Sequence, residues 1–307
     1  MSLPLLVVTM VLAVGGGLLA ERRWHDGAVV VSQGAMRLML LWVLPPVYFV
    51  LVSRLHLDAT LLGGIAAAYV VLGIVGVLAW IAADRWLRLP RATVGGVVLA
   101  VILANTGYFG LPFSQAVLGH DALGPAIAWD SFVSGPMFFG IAFAVGAACS
   151  PDVGAGADGE SRLGAFLRNP LLWAAILGLA VPWDAPEWAA DVARVVVVAL
   201  LPVGFLVVGI QLGREAEDGV PVLPPPLTRP IAVVIGLRLL VAPAIVVGAS
   251  AALLDLPDGM LLQAVAPTGL NGMLVAHRFG LDLRPIAGAI VWTTAIVTVG
   301  ALVATAL

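Results

Sequence analysis

Ten runs of apolar residues, each close to the length of a membrane-spanning helix, dominate the chain. A helix rises 1.5 Å per residue, so about 20 apolar residues cross the hydrocarbon core of a bilayer. The runs lie at 3–20, 29–53, 60–83, 93–118, 124–148, 165–183, 189–212, 229–254, 259–278 and 284–306. With 61% hydrophobic and 11% charged residues, the composition excludes an ordinary soluble domain. The sequence therefore predicts an all-α integral membrane protein with ten transmembrane helices.

The basic residues are distributed unevenly among the loops. All fifteen are arginines, and the odd-numbered loops hold Arg22, Arg23, Arg85, Arg88, Arg91, Arg162, Arg168, Arg214, Arg229, Arg278 and Arg284. The even-numbered loops hold Arg54 and Arg194. Cytoplasmic loops carry the excess of basic residues, so we expect a multi-pass protein of the plasma (inner) membrane with both termini extracytoplasmic. The arginine pair after the first span is typical of a retained anchor rather than a cleaved signal peptide.

The chain contains a repeated motif. Its first copy is Ala104-Asn105-Thr106-Gly107-Tyr108-Phe109-Gly110, and Ala266-Pro267-Thr268-Gly269-Leu270-Asn271-Gly272 follows 162 positions later. A second match pairs Leu44-Pro45 with Leu201-Pro202, at an offset of 157. Five spans separate the copies, and an odd number of crossings reverses direction. We therefore predict two inverted five-helix repeats, at 1–149 and 169–307, joined by a polar linker at 150–168.

Spans four and nine are predicted to be broken, crossing helices that hold the substrate. Proline and glycine interrupt a helix, and non-helical backbone at membrane depth is tolerated only against protein or a cavity. Two opposed half-helices would aim their partly positive N-terminal ends at one point and favour an anion. The predicted substrate-binding residues are Asn105, Thr106, Gly107, Tyr108, Gly110, Pro112, Pro267, Thr268, Gly269 and Asn271. The alternative is a pair of ordinary kinks whose amides bond between helices.

Three charged residues, Arg37, Asp130 and Arg238, lie well inside the spans rather than at their ends. An ionisable group at the bilayer centre costs roughly 2.5–3.5 kcal/mol, so each is a candidate for function. We assign Asp130 and Arg238 to ion or proton coupling, with H+ or Na+ as the coupling ion. The alternatives are a helix-end position for Asp130 and, for Arg238, an ion pair with Asp130 or with a substrate carboxylate. Arg37 lies near the start of span two and is interpreted as interfacial.

Asn105-Thr106-Gly107-Tyr108-Phe109-Gly110-Leu111-Pro112 resembles the fourth-span signature of the auxin efflux carrier family. Ala266-Pro267-x-x-x-Asn271, the later Phe279-Gly280, Arg168-Asn169-Pro170 and the stretch from Pro202 to Leu212 are also similar to that family. The resemblance implies ten helices in two inverted bundles, an acidic residue near the position of Asp130, and transport of small organic anions. Ala266 stands where the family pattern has a methionine, and the central linker is short.

The predicted function is secondary active transport of a small organic anion, auxin-like or malonate-like, by alternating access. Two alternatives are a sodium-coupled carrier of the bile-acid or sodium/proton type, and a membrane sensor that binds a ligand without moving it. No catalytic residue set, metal site or cofactor is expected, because the four histidines are scattered and there is one cysteine. The expected partners are the substrate and the lipid bilayer, with a homodimer left open and no nucleic acid.

Overall fold

The computed structural model describes residues 3–55, 58–151, 170–217, 219 and 225–306, and these residues form helices joined by short connections. The helices are α1 Leu3–Trp24, α2 Asp26–Val52, α3 Ala59–Trp86, α4 Arg91–Ile102, α5 106–118, α6 His120–Cys149, α7 Pro170–Ala180, α8 Glu187–Glu217, α9 Arg229–Leu253, α10 Asp258–Ala264, α11 Asn271–Phe279 and α12 Arg284–Ala306. Within the described ranges the chain has no β-strand.

The prediction of an all-α, multi-pass membrane protein is confirmed. In the described part of the chain, seven helices are long and apolar enough to cross a membrane, namely α1, α2, α3, α6, α8, α9 and α12. The apolar helices α4 and α7 are shorter, with 12 and 11 residues. Predicted spans four and nine each appear as two pieces, α4 with α5 and α10 with α11. Of the linker predicted at 150–168, all but its first two residues lie outside the described residues.

The connection between the first two spans is shorter than predicted. The apolar pattern ends at residue 20, but α1 continues to Trp24 and α2 begins at Asp26. Glu and Arg favour helix, so the charged residues after position 20 extend α1 beyond its apolar part. Only His25 interrupts the two helices, with a φ of 42°.

Prolines set the positions of four wide, π-helical turns. In such turns an N–H bonds the carbonyl five residues back instead of four. The turns Met39–Val43, Thr106–Gly110, Asp130–Ser134 and Leu237–Val241 each end two residues before a proline, at positions 45, 112, 136 and 243. The proline ring crowds the carbonyl four residues back and lacks an N–H, so the preceding turn widens. Asp130 and Arg238 lie in two of these turns.

The helices pack in two groups. A four-helix group consists of α1, α2, α7 and α8, in which α1 lies along α8 and α2 lies against α7 and α8. The close approach of α1 and α8 depends on Gly17 and Gly209, since a Cβ at Gly209 would lie 3.0 Å from the Cα of Gly17. The second group contains α3 to α6 and α9 to α12, with α4 packed against α3, α9 and α12.

Candidate functional site

The two helix breaks meet and cross. Ala104, between α4 and α5, forms an antiparallel bridge with Thr268, between α10 and α11. The Asn105 N–H donates to the Pro267 carbonyl at 2.7 Å, and the Gly269 N–H donates to the Leu103 carbonyl at 2.9 Å. A Cβ at position 269 would lie 2.7 Å from the Ala104 oxygen, so the crossing requires glycine there. Each break thus supplies hydrogen-bond partners for part of the unwound backbone of the other.

Arg238 holds the crossing from the side of α9. Its side chain is 1% exposed, and its Nε donates to the Ala266 carbonyl at 2.9 Å. One terminal nitrogen lies 3.5 Å from the Val101 carbonyl, in the last turn of α4. Carbonyls at a helix C-terminus carry partial negative charge, so the guanidinium stabilises both breaks. Arg238 forms no ion pair with Asp130 in the structure, which was one alternative.

Two buried polar side chains add further bonds around the crossing. The Thr268 hydroxyl donates to the Ala100 carbonyl at 2.9 Å, and the Thr268 N–H donates to the Thr293 hydroxyl at 3.0 Å. The Gln263 amide donates to the Thr106 carbonyl at 3.3 Å. Buried polar groups are costly when left unpaired, so these bonds fix the geometry of the breaks.

Asp130 connects the start of α5 to the four-helix group. Its two carboxylate oxygens accept hydrogen bonds from the Tyr48 hydroxyl on α2 and from the Thr106 hydroxyl. The Thr106 hydroxyl also lies 3.0 Å from the Ser134 hydroxyl. Gly107 lies against this carboxylate, because a Cβ there would make ordinary contact with it at 3.7 Å. A change in the charge of Asp130 would therefore alter bonds to both helix groups.

A cavity of about 650 Å³ lies next to the crossing, between the two helix groups. Its walls come from α2, α7 and α8 on one side and from α5, α6 and α11 on the other. Asp130 is the single acidic residue among the described residues that line it, and Arg37 and His277 are basic. Such a volume accommodates a small organic molecule.

The cavity separates the predicted binding residues into two sets. Asn105, Thr106, Gly107, Tyr108, Gly269 and Asn271 line it. The other predicted residues are buried and do not line the cavity, namely Gly110, Pro112, Pro267 and Thr268. Of these, Pro267 and Thr268 form hydrogen bonds at the crossing. Asn105 is 8% exposed and its side-chain oxygen accepts the Phe109 N–H at 3.3 Å, so it caps α5. Asn271, at the start of α11, is exposed to the cavity.

Several cavity residues were missed or assigned elsewhere from the sequence. Tyr48 reaches Asp130 from a helix 82 residues earlier in the chain. Arg37, interpreted as interfacial, lines the cavity, as does Gln211. His277, also in the wall, lies 2.5 Å from the buried Glu215 of α8. Arg37, Leu44 and Tyr48 share one face of α2 at spacings near multiples of a helical turn, which is a signal that could have placed them together.

Residues 161–305 match the model of a family described as membrane transport protein. The match lies in the second half of the chain and confirms the family resemblance seen in its motifs. No curated protein matches the chain significantly. The apolar helices and this match together support a multi-pass membrane protein that is similar to a family of membrane transport proteins.

Proposed function

We propose that this chain, a member of the auxin efflux carrier-like family of membrane transport proteins, carries a small organic anion across the membrane by alternating access. The substrate class is a mono- or dicarboxylate, bound where the cavity reaches the crossing. The observation that carries this proposal is the convergence there of the first turns of α5 and α11, represented in the wall by Tyr108 and Asn271. Helix N-termini bind anions through their free N–H groups and dipoles.

The balance of charge in the cavity supports an anionic substrate. Arg37 lines the wall, and no carboxylate of the described residues forms an ion pair with it. Asp130, the acidic residue in the wall, is bonded to Tyr48 and Thr106 instead. An anion entering the cavity would thus meet an uncompensated cation on its way to the crossing.

The cavity opens toward one side of the bundle. The residues that line it run from the crossing to the ends of α2, α6, α7, α8 and α11 that meet the odd-numbered, arginine-rich loops. If those loops are cytoplasmic, the state described is open to the cytoplasm. We propose this orientation for a protein of the plasma (inner) membrane, with both termini on the opposite face.

An apolar cluster closes the cavity on the other side, and we call it the plug. It joins Leu51 and Val197 of the four-helix group to Leu111, Leu123 and Ile127 of the second group, all 5% exposed or less. Tyr48, 1% exposed, lies where the plug meets the cavity. Because the plug lies between the two groups, a shift of one group against the other would open it while closing the cavity.

Local symmetry supports the proposed arrangement of ten helices as two inverted five-helix repeats. The contact of α1 with α8 has its counterpart in α7 with α2, and the contact of α4 with α12 has its counterpart in α10 with α6. At the breaks, the Thr106 hydroxyl bonds to Asp130, and the N–H of Thr268, at the equivalent position, bonds to Thr293. The threonine of the first repeat thus has an ionisable partner, Asp130, whereas the threonine of the second repeat has a neutral one, Thr293. This asymmetry supports Asp130 as the residue that couples transport to H+ or Na+.

Substitution of Asn271 by Ala tests the placement of the site. We expect it to weaken carboxylate binding about 5- to 30-fold, since one hydrogen bond to a charged group contributes roughly 1–2 kcal/mol. Thermal shift of purified protein against a panel of mono- and dicarboxylates, followed by flux in proteoliposomes, measures both affinity and transport. Flux also separates a carrier from a sensor, which would bind without moving the ligand. Gln115→Ala, outside the cavity lining, is the control. Unchanged affinity in Asn271→Ala would refute this site.

Substitution of Arg37 by Gln tests the role of the free cation. We expect the KM for the anion to rise about 3- to 10-fold at low salt, with little change in kcat, because Arg37 attracts the substrate before it reaches the crossing. The difference should shrink at about 0.5 M salt, where screening acts over a few ångströms. Arg85→Gln, exposed on the same side of the bundle but away from the cavity, is the matched control. A KM change that is equal in both variants, or insensitive to salt, would contradict the role.

A further inference from the structure

Three ionisable side chains converge where α1 ends against α8. One carboxylate oxygen each from Glu21 and Glu217 and one ring nitrogen of His25 all lie within 4.8 Å of one another. The His25 Nδ1 is 3.0 Å from a Glu217 oxygen. The cluster lies away from the cavity, on the side of the arginine-rich loops.

Glu21 makes this cluster more than a group of surface charges. Its side chain is 0% exposed, and neither of its carboxylate oxygens has a hydrogen-bond partner. Gly213 of α8 makes room for it, because a Cβ there would lie 3.2 Å from one of these oxygens. A buried carboxylate without a donor is costly, and a second carboxylate beside it adds repulsion. Among the described residues Glu21 therefore lacks a cationic hydrogen-bond partner.

Arg214 does not supply that partner. Its guanidinium lies 3.0 Å from an Asp26 oxygen and 3.9 Å from a Glu217 oxygen. It forms no hydrogen bond with Glu21, whose oxygens face Glu217 and His25. Arg214 and His25 therefore act on the Glu21 charge only at a distance, and neither donates a hydrogen bond to its buried oxygens.

One imidazole and two carboxylates are a donor set typical of transition-metal sites. Zn2+ binds such ligands at about 2.0–2.2 Å, which places neighbouring donor atoms roughly 3.3 Å apart in a tetrahedron. The His25–Glu217 separation of 3.0 Å is close to that value, and the other two separations are no larger than 4.8 Å. Mg2+ and Ca2+ prefer all-oxygen ligands, so the imidazole favours zinc-like ions. His25 and Glu217 are both substantially exposed, which leaves a position for water.

We propose that Glu21, His25 and Glu217 bind a divalent transition-metal ion, with Zn2+ as the ion to test. The ion would join the junction of α1 and α2 to the end of α8. These helices belong to the same four-helix group, in which Gly17 and Gly209 already bring α1 and α8 together. Its effect should therefore be on the stability of that group, with the KM for the anion unchanged.

The experiment compares chelator-stripped wild-type protein with and without ZnCl2. We expect one zinc per chain by elemental analysis, and a rise in Tm of about 5 °C when Zn2+ exceeds its Kd about 100-fold. Equimolar MgCl2 should produce a much smaller shift. Absence of bound zinc in the wild type would overturn the proposal.

Two variants keep the proposal falsifiable. Glu21→Gln should fold and show a metal-free Tm no lower than that of the stripped wild type, because it removes a buried negative charge that lies beside the Glu217 carboxylate. It should also lose the Zn2+-induced shift, as should His25→Ala. The controls are Glu187→Gln and His120→Ala, which change the same residue types far from the cluster and should keep the full shift. A full shift in Glu21→Gln would overturn the assignment.

Discussion

Substitution of Arg238 by Met is expected to lower the free energy of unfolding by about 2–4 kcal/mol, because it removes the donor shared by the two helix breaks. The Ala266 carbonyl would lose a 2.9 Å bond, and the Val101 carbonyl a weaker one at 3.5 Å. Val101 and Ala266 are 0% and 2% exposed, so both carbonyls would be left buried without this donor. For a chain of this size the Tm should fall by roughly 5–10 °C.

The cost of burying the Arg238 charge would make the methionine variant more stable. Most of that cost is the same in the packed and unpacked states, so it contributes little to the free energy of unfolding. Inserting an arginine at the centre of a membrane helix costs roughly 2.5–3.5 kcal/mol, and α9 bears this cost before the helices pack. What packing adds is the bonds to the two breaks. Thermal unfolding of purified Arg238→Met and of Arg238→Lys measures this. Lysine keeps the charge but lacks the planar fork of donors, so an intermediate Tm is expected.

Arg37→Met is the matched control for this prediction. Arg37 is exposed to the cavity and makes no ion pair with the described carboxylates, so its replacement should change the Tm by less than about 2 °C. An equal fall in both variants would mean that any loss of an arginine destabilises the bundle. A wild-type Tm in Arg238→Met would show that the crossing does not depend on the bonds from Arg238.

The helices and their interruptions could be predicted because both depend on local composition. Apolar runs give membrane helices, and Gly107, Pro112 and Pro267 mark the breaks. The lengths of the pieces were harder to predict. The charged residues after position 20 prolong α1, and the break leaves α10 with only 7 residues. Proline positions alone would not have placed the wide turns, since Pro202 lies in α8 without one and the wide turn Ala82–Trp86 is not followed by a proline two residues later.

The contacts of the candidate site could not be predicted, because they join residues that are distant in the sequence. Tyr48 and Asp130 are 82 residues apart, and nothing in either local pattern indicates the other. Arg238 was a candidate for coupling, whereas in the structure it bonds to backbone carbonyls. Asn105 was predicted to bind the substrate, and in the structure it lines the cavity while its side-chain oxygen caps α5, a role typical of asparagine before a helix. The spacing of residues along the sequence indicates which of them share a helix face, but it does not indicate which residues of other helices they contact.

Substitution of Asp130 by Asn is expected to abolish the coupling of transport to an ion gradient. The carboxylate accepts bonds from Tyr48, in the four-helix group, and from Thr106, at the start of α5. Binding of a proton or Na+ would change these bonds and so change the balance between the two helix groups. Asn cannot change its charge, but its oxygen can still accept one hydroxyl bond. Gradient-driven flux in proteoliposomes should fall at least 10-fold, whereas carboxylate affinity by thermal shift should stay within about 3-fold.

Two imposed gradients identify the coupling ion in the same experiment. Wild-type protein should respond to a pH gradient or to a Na+ gradient, and the residual flux of Asp130→Asn should respond to neither. Asp121→Asn is the matched control, since Asp121 is exposed in the first turn of the same helix, outside the cavity lining, and should leave coupling intact. Tyr48→Phe removes one donor but keeps the carboxylate, so it should alter the rate of transport while retaining gradient dependence. If Asp130→Asn kept the full wild-type response to the gradient, the carboxylate would be a structural link between the two groups, and the coupling site would have to lie elsewhere.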